Sequence, residues 1–421
     1  MTKQTLANHI AQMPIYDTHE HLITPAEYLA NPPDIIVALF GLNAYIQHDL
    51  ISAGCSYPTL AAFLDAANPD IAARWHLIAP YWADCQHTGY AEAVRLSAHI
   101  LYGIDTLSAA ALVAAQPRQQ AYTQPGQYQY LLEQVANLAT IQIDAFTWEA
   151  PAGAGDSRVY QYDINVCNMV NGSIDFVELA TDVGFAITNL ADYARAIQHV
   201  ITYNAPQACA IKTQHAYDRT LAWQLPDEAA VVSVFEKKMR GAHLGELEAC
   251  RIGDWALDQV ARHAATLKLP IKIHTGHFAG NRTMPIDWVR PGQLSGLIKH
   301  HPDTTFVLMH IGYPYQHELL SMAKHYANVY VDLCWAWGIN PRASSEFVRQ
   351  WIHSVPINKL FGFGGDAFLP TQTVGFVAQT RQWLTRTLNA EVTEGYLSEV
   401  DAIKIAQQLL HDNQHRLFGQ G

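Results

Sequence analysis

None of the 421 residues falls in a run approaching the roughly 18–20 apolar positions that a bilayer-spanning helix requires. The opening MTKQTLANHI also lacks the apolar stretch of a secretory leader. No membrane insertion is expected, and a cytoplasmic location is. Charge is scarce as well: only 15% of the chain is Asp, Glu, Lys or Arg, and the net charge is −12 with no Lys/Arg-rich run. Without such a run there is no footprint for phosphates, so nucleic acid is excluded as the expected partner. The six cysteines, Cys55, Cys85, Cys167, Cys209, Cys250 and Cys334, contain no CxxC pair. In a chain too large to need staples they are expected to be reduced thiols. What is plentiful is apolar residues, 49% of the chain and ample for a large core, together with 21 histidines. The expected partner is therefore a small molecule, with a homo-oligomer left open.

The histidines matter by position. An apolar lead-in from Met13 to Tyr16 has the pattern of a strand that continues through Asp17-Thr18-His19-Glu20-His21. Side chains two apart share a strand face, so His19 and His21 project together and Glu20 turns away. Two neutral imidazoles side by side make half a transition-metal site, because first-row metals take nitrogen at about 2.0–2.1 Å. The competing reading is two unrelated histidines in a His-rich chain.

Residues 23–135 carry apolar residues at helical spacing over 58–64, 69–77, 90–101 and 107–113, each opened by Pro, Ser, Thr or Gly punctuation. They are expected to form a helical insert that sits over a barrel mouth as a cap. Its aromatics, Tyr45, Trp75, Tyr81 and Trp82 among them, are expected mainly to pack as core. From about residue 138 onward, short β-rich runs alternate with helices. Ile141–Phe146, Cys209–Lys212, Ile271–His274, Thr305–His310, Val329–Asp332 and Leu360–Asp366 have strand character, and Gly184–Ile187 leads into an amphipathic helix from Leu190 to Ile201. The alternation predicts an α/β chain of the TIM-type (β/α)8 barrel class with a helical insertion after the first strand. Residues 1–22 and 136–421 would form the barrel and 23–135 the cap. Lys212, His274, His310 and Asp366 each stand at the C-terminal end of a predicted strand, the rim on which such barrels place their chemistry. With His19 and His21 they make six residues on one rim.

Asp17-Thr-His19-Glu-His21, Ile273-His274-Thr-Gly276, Met309-His310 and Gly365-Asp366 resemble, in order and spacing, the amidohydrolase superfamily of metal-dependent barrel hydrolases. A closer resemblance is to its amidohydrolase-related branch, which includes uronate isomerases and the barrel domain fused to glutamine synthetase-like proteins. It rests on His274-Thr-Gly, His310-Ile-Gly-Tyr-Pro, Asn328-Val-Tyr-Val-Asp332 and Asn413-Gln-His-Arg-Leu-Phe418, and covers most of the chain. One departure is Phe363-Gly-Gly-Asp366, where Gly-Ser-Asp or Ser-Thr-Asp is commoner.

The resemblance implies a divalent ion, zinc first, held by His19, His21, His274 and Asp366. A divalent ion lowers the pKa of water bound to it from 15.7 to about 7. Asp366 would be the base, His310 would polarise the substrate or orient a ligand, and Lys212 would complete the catalytic set. In binuclear relatives a lysine at this strand end is carboxylated and bridges two metals. Here Tyr217 and Arg219 follow Lys212 in a pattern suited to anions, which favours an ammonium and one ion over two. Arg219 and Arg290 would suit a substrate carboxylate by bidentate pairing, with Tyr217 and His277 as further substrate contacts. The expected activity is hydrolysis of a C–N or C–O bond in a small polar, anionic substrate. The alternatives are a uronate-like isomerase or a decarboxylase on the same frame, and a noncatalytic barrel scaffold.

Overall fold

The computed structural model describes residues 5–151 and 158–419; Met1–Gln4, part of the opening stretch read as lacking a leader, lies outside the described residues. Eight strands run in chain order around one sheet: β1 Ile15–Glu20, β2 Leu138–Ile143, β3 Tyr160–Asn165, β4 Ala208–Thr213, β5 Ile271–Ile273, β6 Phe306–Leu308, β7 Val329–Asp332 and β8 Leu360–Phe361. Every neighbouring pair is parallel. The strands are rich in Ile, Val and Leu because both faces are covered, one by the barrel interior and one by the helical ring.

Past β8 the chain closes the ring against β1 with backbone hydrogen bonds. Thr18 N–H donates to the Phe363 carbonyl at 3.1 Å, Asp366 N–H to the His19 carbonyl at 2.9 Å, and His21 N–H to the Ala367 carbonyl at 2.9 Å. The architecture is the TIM-type barrel with a helical insertion after its first strand.

Between β1 and β2 the chain is helical. Tyr57–Leu64, Ile71–Cys85, Gly89–Tyr102 and Ala109–Tyr122 each start where a Ser, Asp or Thr side chain accepts a hydrogen bond from the first turn. These side chains satisfy donors that the helix itself leaves orphaned. Gly103, at φ +73°, ends the third of them in the left-handed conformation that glycine adopts without penalty.

Several strands differ from the sequence expectation, β6 among them, which spans Phe306–Leu308 rather than 305–310. β2 stops at Ile143 rather than Phe146, because the Asp144 carboxylate accepts the Phe146 N–H at 2.9 Å and Phe146 turns left-handed at φ +60°. β3 was not expected: half of Tyr-Gln-Tyr-Asp-Ile-Asn is polar, yet Asp163 and Asn165 are buried and find partners there. β8 is only two residues long, and Gly364 beyond it has no room for a side chain. A Cβ at Gly364 would lie 2.8 Å from both the Cys334 Sγ and the Thr18 Oγ1.

Beneath the rim the barrel interior holds a charged pair. Lys272, on β5, donates to both carboxylate oxygens of Asp163, at 3.0 and 2.9 Å, and to the Thr18 carbonyl at 2.7 Å. Both side chains have 0% exposure, so removing one leaves the other charged without solvent. Lys272→Met is expected to destabilise the fold by about 3–5 kcal/mol, the penalty for breaking a buried pair. Denaturant unfolding checks it, and a change below about 1 kcal/mol would show that the pair contributes little.

Candidate metal centre

At the C-terminal ends of the strands a cavity of about 630 Å³ opens above the barrel. Its floor holds His19, His21, Lys212, His274 and Asp366. As alternation along β1 requires, the His19 and His21 rings lie together, with centroids 4.7 Å apart. Both aim Nε2 at Asp366 Oδ1, at 3.4 and 3.2 Å. The His274 and His310 rings stand 4.3 Å apart on the far side. The strand-end positions of the sequence thus share one rim.

Backbone carbonyls fix which ring nitrogens are bare. His21 Nδ1–H donates to the Asp144 carbonyl at 2.8 Å and His310 Nδ1–H to the Cys334 carbonyl at 3.0 Å. This leaves Nε2 as the unpartnered nitrogen of His310 and as the nitrogen that His21 turns to Asp366. His274 donates through Nε2 to the His277 carbonyl at 3.1 Å, leaving Nδ1 bare. Anchoring one ring nitrogen to orient the other is the usual preparation of an imidazole ligand. His310 Nε2 is buried without a hydrogen-bond partner, an expensive state that a metal or a ligand would relieve. Ligand atoms of His19, His21 and Asp144 lie within 4.8 Å of one another, as do those of His310, Cys334 and Asp366. Two nitrogens and a carboxylate oxygen at such spacing form a donor set that fits a divalent ion. A third such group, Asp258, His300 and His301, lies on outer helices, where Arg262 Nε takes Asp258 Oδ2 at 2.9 Å.

The electrostatics agree with that preparation. Burial, reinforced by the Lys212 charge, pushes the His19 pKa well below the usual imidazole value. Burial, with His310 and Lys212 adding to it, does the same at His274. Burial lowers His310 to about 4. These rings are neutral, as ligands must be. Burial alone would raise Asp366, but its contacts with His19 and His21 outweigh it and hold the carboxyl well below the usual range. Burial lowers His21 too, but Asp366 outweighs it and raises that ring.

Backbone strain gathers here. Phe146, His310, Trp335 and Asp366 have φ of +60°, +61°, +58° and +56°, a region that bulky L-residues enter only when their surroundings enforce it. The Phe146 ring lies parallel to His21 at 4.2 Å and Phe368 flanks it at 5.3 Å.

Lys212 does not stand alone. Its Nζ is 3.3 Å from Asp144 Oδ2 and 3.5 Å from His19 Nε2. Asp144 also accepts from Asn165 Nδ2 at 2.9 and 3.0 Å, and Asn165 donates on to Gln214 at 3.0 Å. Asp144, Asn165 and Gln214 were not singled out from the sequence. The available signal for Asp144 was its place one residue past the end of an Ile-rich run.

From the insert, Asn43, Tyr45 and His48 line the same cavity. The Tyr45 ring lies tilted against Trp335 at 4.2 Å, so it packs as an aromatic and also faces the site. Burial first, and then the Asp366 charge, push its phenol well above the ordinary value, so the hydroxyl keeps its proton. His48 meets Asn281, in the loop after β5, at 3.0 Å, joining insert to barrel across the cavity.

Three of the four expected substrate contacts lie outside the cavity lining. Arg219 is buried away from the cavity, paired with Asp254 Oδ1 at 2.9 Å and donating to the Val170 carbonyl. Arg290 is exposed and paired with Glu318 at 2.6 Å. Each charge already has its carboxylate, and no arginine among the described residues lines the cavity. His277 is half-buried outside the lining, its ring 5.9 Å from Trp335. Tyr217 does line the cavity, with its ring 5.0 Å from His274 and its hydroxyl accepting the Ala279 N–H at 3.0 Å.

Comparison with known proteins places this geometry in context. A family model described as Amidohydrolase matches residues 171–420. Protein fluG of Emericella nidulans is 28% identical over 173 residues, a stretch covering 40% of this chain and 20% of that longer protein. Among solved structures, a uronate isomerase from Thermotoga maritima superposes with a TM-score of 0.83 at 14% identity, covering 98% of this chain and 96% of that one. A glucuronate isomerase from Caulobacter crescentus gives 0.82 at 16% identity, over 99% and 94%. At these identities the likeness to the two isomerases is one of fold.

Proposed function

Since this chain belongs to the amidohydrolase family, we propose that it is a metal-dependent hydrolase that cleaves a C–N or C–O bond of a small polar substrate. One observation carries the reading: His19, His21 and His274 converge with an ionised Asp366 on the floor of a cavity large enough for a small molecule, with His310 buried behind His274. His19, His21, His274 and Asp366 would hold the ion, and zinc is the first choice for a nitrogen-rich set. Bound there, the ion supplies Lewis acidity toward water and toward a substrate carbonyl. The remaining work falls to the chain itself. Asp366, kept ionised, takes a proton from water and returns it to the leaving group. His310, buried beside His274 and outside the cavity lining, would orient a neighbouring ligand. Tyr45 and Tyr217 wall the cavity, and the insert excludes bulk water, which strengthens each of these interactions.

With Arg219 and Arg290 engaged elsewhere, Lys212 is the cation on the cavity floor. Asp144 also bears on the number of ions. A carboxylated Lys212 would set a second anion about 3 Å from a buried carboxylate, which like-charge repulsion opposes, whereas an ammonium there completes an ion pair. Metal titration of the apoprotein is expected to restore full activity at one ion per chain, with no carboxyl adduct on Lys212 by intact mass. Activity that appears only with a second ion would overturn this.

A second reading, an isomerase, is favoured by the Tyr45 hydroxyl beside Asp366, since a donor and a base on one substrate can move a proton between adjacent carbons. Turnover of a panel of amides, lactones, uronates and aromatic carboxylates in H2¹⁸O and in D2O separates the two. Hydrolysis adds one water and places ¹⁸O in the product, as two fragments from an amide or one ring-opened hydroxy acid from a lactone. Isomerisation gives a product of the substrate's mass that has gained solvent deuterium on carbon, and that result would reject the hydrolase.

A further inference from the structure

Glu20 lies between His19 and His21 in sequence but on the opposite face of β1, with 0% exposure. Its carboxyl is wedged between β1, the turn after β8 and the long helix Pro370–Thr393. Oε2 accepts the Ala367 N–H at 2.5 Å, and Oε1 accepts the Thr373 hydroxyl at 3.0 Å. Asp17, two residues before His19, accepts the His19 N–H at 3.0 Å. The segment 365–367 is thus held to β1 by the Glu20 carboxyl one residue past Asp366, and by the bond of Asp366's own N–H to the His19 carbonyl.

The backbone of Asp366 needs such holding. Its φ of +56° is one that a side chain as large as Asp adopts at a cost of order 1 kcal/mol or more. Its own N–H is tied to the His19 carbonyl at 2.9 Å. Gly365 completes the fit, because a Cβ there would fall 2.1 Å from Glu20 Oε1. No side chain at 365 can coexist with the Glu20 carboxyl where it stands, so the bare residue and the buried acid are complementary in shape.

We propose that Glu20 is a positioning residue matched to Gly365, which together lock the left-handed turn at Asp366 and so set the distance from its carboxylate to the His19 and His21 nitrogens. The proposal rests on the metal-site reading above. Glu20 touches neither substrate nor ion; it acts through the Ala367 amide and the shape of the turn.

Metal affinity, measured by chelator competition, and the visible spectrum of the cobalt-substituted protein test it, since cobalt absorption reports ligand geometry directly. Glu20→Ala is expected to weaken metal binding about 10–100-fold, the range for residues that support ligands, and to alter the cobalt spectrum. Glu20→Gln, whose amide oxygen still accepts the Ala367 N–H, is expected to stay within about threefold of the parent on that scale. Gly365→Ser should be about as harmful as Glu20→Ala in the parent, yet nearly silent when added to Glu20→Ala, because contacting residues are non-additive. Equal harm from Gly365→Ser in both backgrounds, or a Glu20→Ala protein with unchanged affinity and spectrum, would overturn the proposal.

If Glu20→Ala does not fold, Gly365→Ala carries the test: weakened affinity with a shifted spectrum supports the lock, and parental values refute it. Failure of the metal-site reading looks different, since His19→Ala would then keep its metal. Failure of the lock leaves His19→Ala metal-free and Glu20→Ala normal.

Discussion

Asp366→Asn is expected to lower kcat by about 10²–10⁴-fold at saturating metal, the range associated with loss of a positioned general base. Its carboxylate faces both His19 and His21 at 3.4 and 3.2 Å, and those neighbours hold it ionised despite its burial. An amide of the same size keeps an oxygen donor for a metal but cannot take a proton. The loss should therefore fall on kcat more than on KM, and more than on metal content. Steady-state kinetics beside elemental analysis check this. If activity and bound metal fall in equal proportion, Asp366 is a ligand only and the proton goes elsewhere.

His19→Ala is expected to leave the purified protein with little or no bound divalent metal, even when it is expressed with added zinc. Losing a partner behind a ligand weakens affinity about 10–100-fold, and losing a nitrogen donor itself should exceed about 100-fold on the same scale. His325 and His415 are exposed side chains away from the cavity lining, so His325→Ala and His415→Ala should retain the parent's metal content. Elemental analysis of the three variants is decisive: equal losses in all of them, or none in His19→Ala, would show that the donor set has been misassigned.

The histidines of this site were legible in sequence because two local rules govern them. Alternation along a strand paired His19 with His21, and the habit of barrels to carry chemistry at strand ends brought in His274, His310 and Asp366. What was not legible depends on contacts distant in the chain. Asp144 gains its place from Lys212, 68 residues on, and a short acidic turn after an Ile-rich strand gives no hint of that partner. β3 looked too polar for a barrel strand, because the cation that satisfies Asp163 lies on β5. Tyr45 reads equally well as core or as cavity wall, and the structure makes it both. Arg219 and Arg290 misled for the converse reason: their carboxylates, Asp254 and Glu318, come from helices whose orientation no local pattern reveals. The domain division read from the sequence rests on the same local patterns. In the structure, side chains of the insert and of the barrel join one buried apolar cluster, and the division at 23 and 135 stands as a proposal.

The closure of the ring between β1 and the segment after β8 has a consequence for how the protein comes into being. His19 is made long before Asp366, yet a backbone hydrogen bond between these two residues joins the first strand to the segment after the last and brings their side chains together. A nascent chain therefore lacks this donor set until residue 366 has left the ribosome.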